Sequence, residues 1–323
     1  MAVEKAHKAN RRMTIRYRGR GSQIPIFLGK QLRLFVYQND WKVLPMAAVI
    51  AGVVTFVVGG NLFIYQEGTL MGSFALVCVC IWNGSFNSIQ VVCRERAIIK
   101  REHRAGLHMS SYILAQMIYQ LLLCLAQTAV TLLICNLAGV HFPEKGVVTG
   151  SGMADIGITV LLVTYAADMM ALMISCIVHN TTTAMTVMPF MLIFQLLFSG
   201  GFFQLAGFAK KITVITVSKW GLDSLCTIGR YNELPMVTLW NTVFKFKDIE
   251  YMGQKPLLDL IIKVQDEGKV DDFLQWSGAY NTNPLYAISP ENVMRNWGMI
   301  LLLTAVFIVA AIIALKFIDR DKR

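Results

Sequence analysis

The densest group of side chains able to form specific polar contacts is CRERAIIKREHR at residues 93–104. Seven charges fall within residues 94–104, although only 15% of the chain is charged. Arginines and glutamates in alternation can form ion pairs that give specific docking to another protein. Ile98 and Ile99 can add an apolar anchor among these charges. From the residues alone the segment suits docking, whereas a basic cytoplasmic loop with no further role would account for its arginines but not for Glu95 and Glu102.

Catalytic chemistry has little support in the sequence. It contains no phosphate-binding Walker A loop and no HExxH, GxSxG or GxGxxG motif. The five histidines are scattered without ligand spacing, and six of the seven cysteines lie in or beside apolar segments, where they act as small apolar fillers. We expect no enzyme activity in this chain, no metal site and no cofactor bound by it.

The elements that must position the charged segment are long and apolar. The chain is 55% hydrophobic with a mean hydropathy of +0.52, and a spanning helix needs roughly 20 predominantly apolar residues. The sequence predicts an all-α polytopic membrane protein with six transmembrane helices, preceded by an amphipathic interfacial helix within 24–43 and with a long external loop, 209–296, before the last span. The six predicted spans are 44–64, 70–92, 112–137, 153–178, 184–208 and 297–318.

The distribution of lysine and arginine predicts the orientation of these spans. Ten of these residues lie in 1–43, five in 93–111, none in 65–69 and one in 138–152. Cytoplasmic loops carry the excess of basic residues, so we expect both termini and the 93–111 loop in the cytoplasm and the protein in the plasma membrane. The net charge of +10 follows this pattern, which favours contact with anionic lipids and not with nucleic acid.

Polar residues inside the predicted spans are costly to bury and therefore informative. Asp168 lies ten residues from the predicted cytoplasmic end of its span, roughly 15 Å deep, and both a functional and a buried hydrogen-bonded role remain open. Gln116, Gln120 and Gln127 share one helical face, which favours interhelical hydrogen bonds. The segment 179–209, which contains the fifth span and no Asp, Glu, Lys or Arg, would be roughly 46 Å long as one helix, so Gly200–Gly201 predicts a break and a return toward the membrane.

The order of these features resembles the membrane subunit of ABC-2 type exporters, the group that includes the ABCG-type half-transporters. The resemblance covers about residues 25–318. It rests on the basic segment ending YQNDWKVLP, on SIQVVCRERAIIKREHRAGLHMSSYILAQ between spans two and three, on MPFMLIFQLLFSGGFFQL in span five, and on SKWGLDSL at 218–225.

The resemblance implies two regions, a cytoplasmic segment at 1–43 and a transmembrane domain at 44–323. It makes the 93–111 loop a coupling helix that docks on a nucleotide-binding subunit, where ATP and Mg²⁺ bind. The coupling residues that it implies are Arg94, Glu95, Arg96, Ile98, Ile99, Lys100, Arg101 and Glu102. Since the sequence holds no phosphate loop, that ATPase is expected to be a separate polypeptide. Two permease subunits, identical or homologous, would form one pathway for an amphipathic or hydrophobic cargo, gated by Leu196 and Leu197. The implied lining residues are Asn83, Phe86, Asn87, Met191, Gln195 and Phe198.

Two other classes of protein remain open from the residues alone. An ion-coupled secondary carrier would use Asp168 as its coupling site, although the paired half-repeats typical of many carriers are not visible in the sequence. A membrane scaffold that transports nothing would bind a partner through its external loop, and it would tolerate charge reversal in the 93–111 loop.

Overall fold

The computed structural model describes residues 19–37, 40–201, 207–234, 243–244, 246–269 and 282–316. Within these ranges the chain is helical, and the two β-bridges there, Lys145 with Ser151 and Tyr251 with Gln254, are isolated. The α-helices are α1 (Arg20–Tyr37), α2 (Val43–Val58), α3 (Gln66–Ser88), α4 (Val91–Arg104), α5 (Met109–Leu137), α6 (Gly152–Ile177), α7 (Thr181–Leu197), α8 (Phe208–Ile212), α9 (Val217–Ile228), α10 (Pro256–Asp266) and α11 (Pro290–Lys316).

Five of the described helical segments are long and apolar enough to cross a membrane. They are α2 with its 3₁₀ extension to Asn61, α3 running into α4, and α5, α6 and α11. The shorter apolar helix α7, with 17 residues, occupies the place of the fifth predicted span. This architecture confirms the prediction of an all-α polytopic membrane protein, and the helix boundaries lie within a few residues of those predicted, except in the fifth and last spans.

The fifth span ends earlier than its apolar composition predicts. Helix α7 stops at Leu197, and Gly200 has φ +78°, a left-handed conformation that glycine adopts without strain. The chain then returns to the end of α7, where the Ser218 hydroxyl donates to the Gln195 carbonyl oxygen at 2.5 Å. Thr216 Oγ1 likewise donates to the Phe198 carbonyl oxygen at 3.0 Å. The predicted break is confirmed, and hydrogen bonds from the returning segment satisfy the end of α7.

Helix α6 lies at the centre of the bundle and packs most extensively against α3 and α11. Its buried face carries small and flexible residues, including Ala166, Ala167, Met169 and Met170. Helix α3 comes close to α6 at Gly84, where an added Cβ would meet the Thr164 carbonyl oxygen, the Asp168 backbone nitrogen and the Ala167 side chain. Small residues let membrane helices approach closely and gain dispersion contacts, so Gly84 sets the distance between α3 and α6.

Part of the predicted external loop is packed into the helical bundle. Eleven of the twelve residues of α9 are buried, and the helix packs against α3, α6 and α11. Cys226 is a free thiol in a small apolar cluster with Leu222 and Tyr286. Packing therefore holds this part of the loop without a disulfide. Further along the predicted external loop, Pro256–Asp266 forms the helix α10.

Helix α1 lies against the start of α5. The rings of Phe27 and Tyr112 meet edge to face with centroids 5.9 Å apart, and Phe35 meets Tyr119 at 6.5 Å. Gln23 joins α1 to the turn before α5, since its amide nitrogen donates to the Gly106 carbonyl at 3.2 Å and its amide oxygen accepts from the His108 backbone at 3.0 Å. The segment predicted to be amphipathic is thus a helix bound to the bundle along one side.

We expect Gly84→Ala to destabilise the protein. The new methyl group would meet backbone atoms of α6, and relieving such overpacking costs about 1–3 kcal/mol. Thermal unfolding in mild detergent, followed by the loss of helical circular dichroism, would measure the change. The matched control is Gly52→Ala in α2, where an added Cβ meets nothing within 4 Å and where alanine favours the helix. Equal midpoints for both variants would contradict the proposed role of Gly84.

Candidate functional site

One stripe of α4 faces outward. Its exposed residues are Arg94, Ala97, Ile98, Arg101 and Arg104, a spacing of three and four that places them on one helical face. Ile98 is 41% exposed in the middle of this stripe. The arrangement is an apolar side chain surrounded by three arginines, which we name the outward face of α4.

The opposite side of α4 belongs to the core. Val92, Cys93 and Ile99 are buried, and Ile99 is 0% exposed within the main apolar cluster. Of the two isoleucines predicted as docking anchors, Ile99 therefore contacts its own chain, and Ile98 is the one that lies on the outward face. Arg96 and Lys100 lie between the two sides and are partly buried.

The two acidic residues of α4 face helix α1. Lys30 of α1 places its ammonium nitrogen 3.5 Å from Glu95 Oε2 and 3.9 Å from Glu102 Oε1. Glu95 is the more enclosed of the two carboxylates, with 13% of its side chain exposed. A positive-inside bias explains the arginines of this segment but not its glutamates. Their contacts with Lys30 give the glutamates a structural role that joins α4 to α1.

Helix α4 is also joined to the end of α6. The Ser175 hydroxyl oxygen accepts hydrogen bonds from the backbone nitrogens of Val92 and Cys93, at 3.0 and 3.2 Å. Arg96 Nη1 donates to the carbonyl oxygens of Cys176 and Val178, at 3.0 and 3.1 Å. The first N–H groups and the last C=O groups of a helix have no intrahelical partner. Each helix therefore satisfies the other's terminus, which fixes the position of α4 relative to α6.

A turn with a fixed geometry ends α4. Gly106 has φ +106°, its nitrogen donates to the His103 carbonyl, and the Leu107 nitrogen donates to the Glu102 carbonyl, both at 3.0 Å. This is the Schellman pattern, in which a glycine past the helix end takes the left-handed position. The chain then enters α5 at Met109, so hydrogen bonds define both ends of α4.

A polar network joins α3, α5 and α6 inside the bundle. The buried Asp168 carboxylate accepts hydrogen bonds from the Ser88 hydroxyl and, at 3.4 Å, from the Cys124 thiol. Asn87 and Gln127 exchange two hydrogen bonds, at 2.9 and 3.0 Å. The Asn87–Gln127 pair is an interhelical contact of the kind that the sequence favours for the Asn and Gln residues, and Ser88 and Cys124 give Asp168 donors from two neighbouring helices.

The predicted pathway and gate residues divide between two environments. Asn83 and Gln195 are buried in the bundle, where the Gln195 amide contacts Met170 and Ser218. Asn87 is partly buried and bonded to Gln127. The remaining residues are exposed or partly exposed on α3 and α7: Phe86, Met191, Leu196, Leu197 and Phe198.

An apolar groove of about 220 Å³ lies between α3 and α7. Its lining residues are Cys78, Ile81, Trp82, Pro189, Leu192, Ile193 and Leu196. Leu196 is the member of the predicted set that lines it. Sequence reasoning missed Trp82, whose ring stacks on Phe86 four residues later at 6.5 Å. The i,i+4 spacing of these two aromatic residues was the available signal. Within the described ranges no group of three or more His, Cys, Asp or Glu residues is placed to hold a metal ion.

Comparison with known proteins agrees with this arrangement. The profile of the family described as "ABC-2 type transporter" matches residues 23–228. An ABC transporter ATP-binding/permease protein of Mycobacterium tuberculosis is 26% identical over 204 residues, which cover 59% of this chain and 24% of that protein. The chain thus spans about a quarter of the length of this curated relative. Because the family profile matches more than half of the chain, the protein belongs to the ABC-2 type transporter family and is a membrane component of an ABC transporter.

Proposed function

We propose that the chain is the permease subunit of an ATP-driven exporter and that the outward face of α4 docks on a separate nucleotide-binding subunit. The observation that carries the proposal is the exposed stripe of Arg94, Ile98 and Arg101 on a helix whose other side is fixed to the bundle. An apolar residue ringed by charges provides both an anchor and the ion pairs that set register. The partner would be the subunit that binds ATP and Mg²⁺.

The contacts of α4 provide a route for mechanical coupling. A force on its outward face would act on α6 through Arg96 and Ser175, and on α1 through Lys30. Helix α6 is the central helix and packs against α3 and α11. Packed cores respond to displacement by switching between discrete arrangements, because they are too dense to deform continuously. The closure of the nucleotide-binding subunits would thus move the helices that line the pathway.

The pathway would lie between two permease copies, identical or homologous, along α3 and α7. Trp82, Phe86, Phe190, Ile193 and Leu197 expose apolar surface on these two helices. Apolar pockets with few polar groups suit amphipathic or hydrophobic ligands, so we infer a cargo of that class. Leu196 and Leu197 at the end of α7 would gate the exit, beside the break at Gly200.

The orientation follows from the basic residues at one end of the bundle. A groove lined by His103, His108, Ser110 and Lys316 places the end of α11 beside the end of α4. These elements would share one membrane side, and the excess of lysine and arginine supports the cytoplasmic side of the plasma membrane. The N-terminal segment would contact anionic lipids on that side.

We predict that Arg101→Glu weakens association with the nucleotide-binding subunit at least tenfold, or about 1.4 kcal/mol, because a repulsive charge replaces an attractive one at the docking surface. The measurement is co-purification from the native membrane, together with ATP-dependent transport. Thermal stability should change by no more than about 0.5 kcal/mol, as is usual at exposed sites.

The matched control for this substitution is Lys211→Glu, an exposed charge reversal in α8 at the opposite end of the bundle. It should leave association and transport unchanged. If Arg101→Glu also retains both, α4 is not the docking element, and a scaffold that transports nothing becomes the better description.

Replacing Asp168 distinguishes ATP-driven export from ion-coupled transport. Asp168→Asn keeps an oxygen that can accept from Ser88, so we expect ATP-dependent transport and stability to be largely retained. Asp168→Ala leaves the buried hydroxyl of Ser88 without this acceptor, which costs about 1–3 kcal/mol in unfolding free energy. Transport assays in proteoliposomes with imposed proton or sodium gradients provide the measurement. Transport that follows the gradient, and is lost in Asp168→Asn, would favour the carrier.

A further inference from the structure

A second groove, about 220 Å³ in volume and lined by polar and apolar residues in equal number, lies between α1, the α3–α4 junction and α5. It is separate from the apolar groove of α3 and α7, and the two have no lining residue in common. Five carboxamide side chains line it: Gln31, Asn87, Gln90, Gln116 and Gln120. We name it the amide groove.

Two of these carboxamides lack partners. Gln116 and Gln120 are each 1% exposed, and neither the nitrogen nor the oxygen of either amide has a hydrogen-bond partner in the described chain. Asn87, in the same groove, is fully paired with Gln127. Burying an amide without a hydrogen bond costs roughly 1–3 kcal/mol by protein mutational data. Two neighbouring residues that both bear this cost, and that both line a cavity, indicate that another molecule supplies the missing partners.

We propose that the amide groove binds the uncharged headgroup, rich in hydroxyl or amide groups, of a membrane amphiphile. Each carboxamide offers two donors and an acceptor oxygen, which suits groups that donate and accept together. The charged lining residues are one arginine, Arg94, and one carboxylate, Glu95, whereas five carboxamides line the same groove, so uncharged hydrogen-bonding groups outnumber the charges. The groove is smaller than the roughly 300–1,000 Å³ of sites that enclose drug-sized ligands, which fits a headgroup.

The rest of the groove provides the apolar half of such a site. Phe86, Tyr119, Leu123 and Met185 line it beside the amides. Gln116 and Gln120 lie seven and eleven residues after the start of α5 at Met109, or roughly 10 and 16 Å along the helix axis. A headgroup at these amides would sit below the membrane surface, with its apolar part against the aromatic and aliphatic side chains.

The same headgroup chemistry belongs to a lipid that resides in the groove and to a transported amphiphile. Binding at the amide groove does not depend on the proposed export function, because it can be measured on the 323-residue chain without a nucleotide-binding subunit. Transport by the complete complex then distinguishes the two sources.

The test uses the wild-type chain, the double variant Gln116→Leu/Gln120→Leu and each single variant in phosphatidylcholine nanodiscs. The probes are glucosyl-diacylglycerol and phosphatidylglycerol with the same acyl chains, and the readout is the midpoint of thermal unfolding. A ligand that binds the folded state raises the midpoint. We expect glucosyl-diacylglycerol to raise the wild-type midpoint by roughly 3 °C at a tenfold excess over its dissociation constant, and phosphatidylglycerol to have no such effect.

Leucine is close to glutamine in size, and replacing unpaired buried amides by apolar groups is not destabilising. The double variant should therefore fold with a midpoint at or above that of the wild type, and it should lose the rise with glucosyl-diacylglycerol. The matched control is Gln66→Leu, a buried glutamine with an unpaired amide nitrogen at the other end of α3, which should keep the full rise.

Three results would overturn the proposal: no rise in the wild type, an equal rise in the double variant, or a rise with phosphatidylglycerol that the double variant loses. Where binding is found, proteoliposomes with the nucleotide-binding subunit identify the source. Loss of ATP-dependent translocation of the glycolipid in the double variant identifies cargo, and binding without translocation identifies a resident lipid. Failure of all ATP-dependent transport would refute the proposed function while leaving the binding result intact.

Discussion

The close contact of α3 with α6 is the constraint on which the rest of the structure depends. In the hydrocarbon core a polar group has no water to bond, so its partners must come from the protein. Gly84 allows the two helices to approach, and the Asp168 carboxylate of α6 then meets the Ser88 hydroxyl of α3. Cys124 brings α5 to the same carboxylate. Asp168, an ionisable residue that would be costly to expose to lipid, thus joins three helices.

The contact of α3 with α6 also joins the charged helix α4 to the core of the bundle. Helix α3 leads through residues 89–90 into α4, and α4 is bonded back to the end of α6 by Arg96 and by Ser175. The chain therefore forms a closed circuit from α3 to α4 to α6 and back to α3. Hydrogen bonds hold both ends of α4 in this circuit. The coupling proposed above would use these contacts to reach the centre of the bundle.

Much of this fold could be predicted from hydropathy, and much of the site could not. Span positions and the break after α7 follow from run length and from Gly200. The division of α4 into an outward face and a buried side could not be predicted in this way, because Ile98 and Ile99 are identical in type and adjacent in sequence. Lipid and protein are both apolar, so the pattern of a membrane helix does not separate its lipid-facing residues from its buried ones. For this reason Asn83 and Gln195, predicted to line a pathway, were found inside the bundle.

The three glutamines of α5 show that the prediction of function from sequence is limited in the same way. Gln116, Gln120 and Gln127 share a residue type, a helical face and an exposure of 1%, and sequence reasoning assigns them one role. The three glutamines differ in the groups that face their amides. Asn87 meets Gln127 with both polar atoms, whereas the amides of Gln116 and Gln120 face a cavity. Interhelical hydrogen bonding explains Gln127 completely, and it does not explain Gln116 or Gln120. A polar residue in a membrane helix therefore indicates a binding site only when the facing helix supplies no hydrogen-bond partner for it.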